Sequence, residues 1–315
     1  MNGNAQGTTY HITWYALDST ISQQQIDSIL AKIDTSLSIY NPQSLISQFN
    51  NKPGFINMDD HFRKVIDKSL DTYRQTGGIF DITVEPLVEA WGFGPKKMTN
   101  LPDSATIKAI KECIGSNNLY IGPSSLYKNG LALCRLKPCI KIDVNGIAQG
   151  YSVDVIANYL EAHAIQNYLV EVGGEIRVKG HKQPSGEKMK IGIEAPGEND
   201  FELSVIKKVI TVDNGAITTS GSYRKFYESE GQKITHLIDP RTGYPAQNEL
   251  ISVTVYARDA ITADAYDNAL MVMGLHNALQ FVEKRKDIAA HFIYRTNNGT
   301  IADTASRRFY KLLQP

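Results

Sequence analysis

Apolar and polar positions alternate residue by residue in TYHITWYAL, residues 9–17, which predicts a strand buried on one face. In ISQQQIDSILAKIDTSLS, residues 21–38, Ile and Leu recur at helical spacing instead. INMDDHFRKVIDKSLDTYRQTGG (56–78) reads as a second helix, capped by Asp59 or Asp60 and stopped by Gly77-Gly78. A short helix follows in FDITVEPLVEAWGFGP (80–95), with Thr83 as its cap and Pro86 in its first turn, and another in LPDSATIKAIKECIG (101–115). Strands are expected near 118–144, including Ile140 to Val144, then at 168–179, 189–195, 209–219 and 233–238. Polar, Gly/Pro-bearing loops are expected at 181–187 and 196–202. The chain closes with a strand at 250–257, helices from Thr262 and Asn277, and a strand at 288–295. So long a run of strands suits strict βαβ alternation poorly; it predicts one large α+β domain with mixed, mostly antiparallel sheets and flanking helices.

Composition narrows the class. The 315 residues suffice for a sizeable core, and 33 basic against 33 acidic residues leave no global field to recruit nucleic acid or an anionic membrane. No apolar run approaches the roughly 18 residues of a membrane span. The first residues lack a basic and an apolar signal region, and residues 1–8 read as a flexible tether behind a removed leader, ahead of a domain at 9–315. Of three cysteines, Cys134 and Cys139 flank RLKP and either pair across a hairpin turn or stay as buried thiols; they do not decide the compartment.

Chemistry concentrates in four stretches. In IDVNGIAQGYSVD (142–154), small residues join a strand to a helix, either to ease a turn and close packing or to bring helix amides to a phosphate-bearing ligand. Beyond it, Val153, Ile156, Ala157 and Leu160 make the packed stripe, while Ile147, Tyr151, Asp154 and Asn158 make another that points Asp154 away from the core. In AITADAYDNALMVMG (260–274), Thr262 is the expected cap. Asp264 and Asn268, four apart, share a face on which both oxygens can ligate a hard cation, unless the acid merely serves the first helical turn. KITHLIDPRTGYP (233–245) sets His236 late in a strand before a Pro/Gly turn, which suits a general base or an ordinary strand histidine. AITTSGSYRKF (216–226) offers hydroxyls and amides to a phosphate or to a turn. Two acids, an amide oxygen, one histidine and glycine-rich turns fit metal-assisted phosphoryl chemistry better than acyl transfer.

Eight stretches in series resemble the ApbE family of FAD:protein FMN transferases: GTTYH, SIYNPQSLISQFN, GGIFDITVEPLVEAWGFGP, IDVNGIAQGYSVD, YLVEVGGEIRVKG, TTSGSYRKF, HLIDPRTG and TADAYDNALMVMG. The resemblance implies an α+β fold related to the tunnelling folds. It implies an enzyme that binds FAD and Mg²⁺, joins FMN to a threonine hydroxyl in an acceptor loop of a target flavoprotein, and releases AMP. Water in place of threonine gives FAD pyrophosphatase activity, and a carrier that stores FAD without turnover is the reading from another class. The implied metal ligands are the Ala148 carbonyl, Asp264 and Asn268, the last standing where threonine is usual; Asn145 and Gln149 stand where glycine and lysine are usual. Implied FAD contacts are Tyr40, Phe80, Asp81, Trp91, Gly92, Phe93, Asp154 and Ser220, and the histidine position matches His236. The implied location is the periplasmic side of the bacterial inner membrane, with membrane contact only through a lipid anchor.

Overall fold

Asn2–Ala5 form a strand, β1, that pairs antiparallel with β2 (Thr8–Trp14). Gln6 and Gly7 connect them, both at positive φ, the geometry of a tight hairpin turn. The expected tether is therefore the edge of a sheet. In this computed structural model, residues 1–16, 20–94, 100–124, 130–195, 205–222, 226–229 and 232–313 are described.

Helices α1 (Gln23–Leu37) and α2 (Leu45–Asn51) precede a short strand, β3 (Phe55–Asn57). Asp59 caps α3 (Asp60–Gln75) by accepting from the Phe62 N–H. A turn at Ile82–Val84 leads into α4 (Glu85–Ala90), and its cap is Asp81, which accepts from the N–H and hydroxyl of Thr83; the expected cap Thr83 is the donor. Asp103 caps α5 (Ser104–Lys111), followed by β4 (Leu119–Pro123) and β5 (Leu131–Arg135). Ile140 to Val144 is buried but forms no strand among the described residues. The Asn50 side chain takes the strand partner's place, exchanging two 2.8 Å bonds with the backbone of Ile142.

Helix α6 (Ala148–Ala162) comes next. The expected strand at 168–179 is a hairpin, β6 (Tyr168–Val172) and β7 (Glu175–Lys179), turned by Gly173 and Gly174 at positive φ. Then follow β8 (Met189–Ala195), β9 (Val205–Val212), β10 (Asn214–Gly221), β11 (Phe226–Ser229), β12 (Gln232–Thr235), β13 (Ile238–Asp239), β14 (Tyr244–Pro245) and β15 (Leu250–Ala257). Helices α7 (Ala260–Met273) and α8 (Leu275–Glu283) lead to β16 (Ile288–Arg295) and β17 (Ile301–Ala305). The expected strands at 250–257 and 288–295 are β15 and β16, whereas the loop expected at 196–202 lies outside the described residues.

The chain divides into two compact units. The first, residues 1–29, 149–235 and 247–315, is built on an eight-stranded antiparallel sheet in the order β1-β2-β6-β7-β10-β15-β16-β17. On its back face, Val178 and Ile217 pack against Met189, Ile191, Ile193, Ile210 and Val212 of the β8–β9 hairpin. The opposite face of β10 and β15 packs against α7, so β15 is buried almost throughout, and Arg177 and Lys179 of β7 pair with acids of α6. The second unit, residues 30–148 and 236–246, holds the three-stranded sheet β3-β5-β4 and the small β13–β14 pair. No helix among the described residues is long and apolar enough to cross a membrane.

Within the second unit, Cys139 pairs with Cys113, just beyond α5, and not with Cys134. Cys134 belongs to β5, where its register partners are Phe55 and Tyr120, while Cys139 lies past the turn with its Cα 5.6 Å from that of Cys113. The bridge spans 26 positions of sequence, and closing a loop of that size in the unfolded chain is worth about 3.5 kcal/mol. Replacing Cys113 and Cys139 together by Ser is expected to lower unfolding stability in urea by about that amount, and Cys134→Ser by less than about 1 kcal/mol.

Candidate active site

In the second unit, the stretch before α6 turns on Asp143, whose carboxylate accepts the Asn145 N–H at 2.8 Å while its own N–H goes to the Ile82 carbonyl at 2.7 Å. Tyr40 is exposed beside Asp143 and Asn145. Helix α6 then begins at Ala148, whose N–H donates to the Val144 carbonyl.

Gly150 lies in the first turn of α6, and a Cβ there would stand 2.4 Å from the Ala260 carbonyl oxygen and 2.7 Å from the Asp264 Cβ. The glycine is required because the backbone of α7 occupies the space, so it serves close packing of the two helices. The Gly150 N–H donates to Oδ2 of Asp264 at 2.8 Å.

Asp154, expected to look away from the core, is 6% exposed. Its Oδ1 accepts from the Ala260 N–H at 3.0 Å and its Oδ2 from the Ile261 N–H at 2.8 Å, two of the first free amides of α7. Nη1 of Arg177 on β7 donates to Oδ1 at 2.8 Å. Burial raises the Asp154 pKa, and these amides and the guanidinium oppose the shift. The local cap of α7 is Asp259, not Thr262; its carboxylate accepts from the N–H and hydroxyl of Thr262.

Asp264 is 3% exposed, and burial pushes its pKa up to about 7, with the charge of Asp154 adding and the Gly150 N–H opposing. One turn on, Asn268 receives the Ser220 hydroxyl on Oδ1 at 3.0 Å and donates to Oδ1 of Asp267 at 2.9 Å. The first unit thus brings Asp264, Asn268 and Ser220 into one bonded set with Gly150. This set suits Mg²⁺: the donors are all oxygens, and a cation would offset the cost of ionising a buried carboxylate whose Oδ1 takes no hydrogen bond among the described residues. Among the described residues, no group of three or more His, Cys, Asp or Glu side chains is placed to hold a metal ion.

In the second unit, Asp81 is spent on its own surroundings. It accepts from Thr83, from the Ser116 hydroxyl at 2.6 Å and from the Ser116 N–H at 3.2 Å, and burial raises its pKa. Phe80 is buried beside it. Trp91 donates through Nε1 to the Gly243 carbonyl at 2.8 Å, and its ring stands 5.8 Å from that of Tyr244. Gly92 takes positive φ to end α4, and Phe93 meets the His236 ring edge-on at 6.2 Å. His236 is half-buried in a bend between β12 and β13 and not within a strand. The aromatics and the histidine therefore share one tied pair of turns. Ser222 closes the described part of TTSGSYRKF before Phe226; residues 223–225 lie outside the described residues.

Arg177, Asp259, Asn50 and Ser116 went unread in the sequence. Arg177 sits in an alternating strand where a charged residue reads as solvated, and only a buried acid on another element gives it a partner. Gly150→Val is expected to be far more harmful than Gln149→Ala: the branched side chain displaces α7, costing about 1–3 kcal/mol or more, while Gln149→Ala only removes a side-chain amide that lies over Gly173. Thermal unfolding of the two variants checks the ranking.

The chain matches the model of the ApbE family over residues 6–292. It is 35% identical to a FAD:protein FMN transferase of Haemophilus influenzae, covering 100% of this chain and 91% of that one. Identity to the Vibrio cholerae protein of the same description is 33%, covering 95% and 88%. Among solved structures, the flavin transferase ApbE from Vibrio cholerae is similar with a TM-score of 0.86 at 32% identity, covering 99% of this chain and 98% of that one. The apo form of Pseudomonas stutzeri flavinyl transferase ApbE is similar with a TM-score of 0.85 at 31% identity, covering 99% and 95%. The α+β fold expected from the sequence holds, and in sequence and fold alike the chain belongs to the ApbE family.

Proposed function

We propose that this protein is a Mg²⁺-dependent FAD:protein FMN transferase that joins FMN to a threonine hydroxyl of a target flavoprotein and releases AMP. The observation that carries the chemistry is Asp264, a buried carboxylate held by the Gly150 N–H, with the oxygens of Asn268 and Ser220 bonded in one set beside it. Flavin transfer itself is supported by relatives of that description along the full chain.

Asp264 and Asn268 are assigned to hold Mg²⁺, with Ala148, the first residue of α6, added on the family resemblance. When bound, the ion supplies positive charge to offset the charge that develops on the pyrophosphate. In the transfer, a bond forms between the threonine oxygen and the phosphorus on the FMN side, the bond to the bridging oxygen breaks, and AMP leaves. His236 is assigned to accept the threonine proton, the edge contact with Phe93 fixing its ring. Tyr40 and Phe93 offer aromatic surface to the flavin or adenine, and Trp91, itself buried, holds its turn through Gly243. The Cys113–Cys139 bridge supports placement in an oxidising compartment, in keeping with a periplasmic, lipid-anchored protein.

Incubating the protein with FAD, Mg²⁺ and a flavoprotein bearing an acceptor threonine is expected to give a fluorescent protein band on a denaturing gel, with AMP in step. AMP without a labelled band would mean transfer to water, and neither product would leave a carrier. Asp264→Ala is expected to remain folded and to lose on the order of tenfold to a thousandfold in transfer rate. Full activity in that variant at ordinary Mg²⁺ would remove Asp264 from the site.

His236→Ala is expected to slow single-turnover transfer by roughly a hundredfold while leaving FAD affinity nearly unchanged, because proton removal matters only in the chemical step. Weaker FAD binding with an unchanged chemical rate would make His236 a binding residue.

A further inference from the structure

The contacts that fix α7 begin outside both helices of the site. Arg177, in the sheet on β7, donates through Nη1 to Asp154 at 2.8 Å and through Nη2 to Glu161 at 3.2 Å. Glu161 is itself held by Lys179 at 2.5 Å and by the Tyr168 hydroxyl at 2.6 Å. The guanidinium is therefore tied at both ends to α6, with its side chain only 17% exposed. Asp154 carries that constraint across to α7 by holding the N–H groups of Ala260 and Ile261. The Ala260 peptide unit on the carbonyl side is the surface against which Gly150 packs, so the first turn of α7 is gripped from two directions. Asp264 follows Ala260 by four residues, about one helical turn, and a shift of that first turn is passed to it through the rigid helix.

We propose that Arg177 is a positioning residue for the metal-binding end of α7, acting through Asp154; this rests on the assignment of Mg²⁺ to Asp264 and Asn268. The physical reason is the cost of a buried anion. Asp154 keeps its place because a guanidinium compensates its charge. Without that partner the carboxylate is neutralised or leaves, and the first turn of α7 loses its acceptor. The divalent ion then meets a displaced Asp264, while groups that hold FAD elsewhere in the chain are untouched.

The test is Mn²⁺ binding followed by electron paramagnetic resonance on the full chain, at temperatures where every variant is folded, with FAD binding in the absence of metal as the control. Arg177→Met and Asp154→Asn are expected to weaken Mn²⁺ binding by about tenfold or more, Arg177→Lys to recover most of it, and the metal-free FAD affinity of the two Arg177 variants to stay within about twofold. Wild-type Mn²⁺ affinity in Arg177→Met, with only a lower melting temperature, overturns the proposal and leaves Arg177 a stability residue. If Arg177→Met does not fold, Asp154→Asn and Arg177→Lys decide: weaker Mn²⁺ binding in Asp154→Asn than in Arg177→Lys supports the proposal, and unchanged binding in both overturns it. Wild-type Mn²⁺ affinity in Asp264→Ala would instead overturn the metal assignment on which the proposal stands.

Discussion

Two carboxylates exchanged between neighbouring helices hold the candidate metal end together. Asp154 of α6 caps the amides of Ala260 and Ile261 in α7, and Asp264 of α7 accepts the Gly150 amide in the first turn of α6. Each helix thus satisfies donors that the other leaves without intrahelical partners. The exchange is possible only because residue 150 has no side chain, since the α7 backbone fills the place of a Cβ. Removing any one of these residues loosens the pair, which ties the stability of the helix ends to the chemistry placed there.

A latch made of buried acids needs counter-charge, and the sheet supplies it. Strand β7 directs Arg177 and Lys179 at α6, where Asp154 and Glu161 receive them, and its apolar Val178 at the β8–β9 hairpin. With both faces of the sheet covered, alternation no longer separates core from solvent; it separates an apolar contact from an ionic one. Asp264, by contrast, has no cation beside it among the described residues, and burial holds its pKa near 7.

In the second unit the polar groups of the motifs serve the turns that display the aromatics. Asp81 gathers Thr83 and Ser116, and the indole N–H of Trp91 fastens its turn to Gly243. The rings of Phe93 and His236 meet as a result. A motif that looks like a set of ligand contacts is thus partly a frame, and the frame fixes where its ring faces lie.

The spacing of apolar and polar residues along the chain is enough to read the fold class and most of the elements. Hydrophobic period located β15, β16 and α3 closely, because long regular patterns report which face is buried. It also placed Asp264 and Asn268 on one helix face, since spacing of four is a local property. It could not reveal that Ile140 to Val144 pairs with a side chain, that residues 2–5 join a sheet, or that Cys139 bonds Cys113, since each depends on a partner distant in the chain. The burial of Asp154 was hidden for the same reason: its partners lie 23 and more than 100 positions away, and only the packing of α6 on β7 and α7 decides that an acid read as solvated is the cap of another helix.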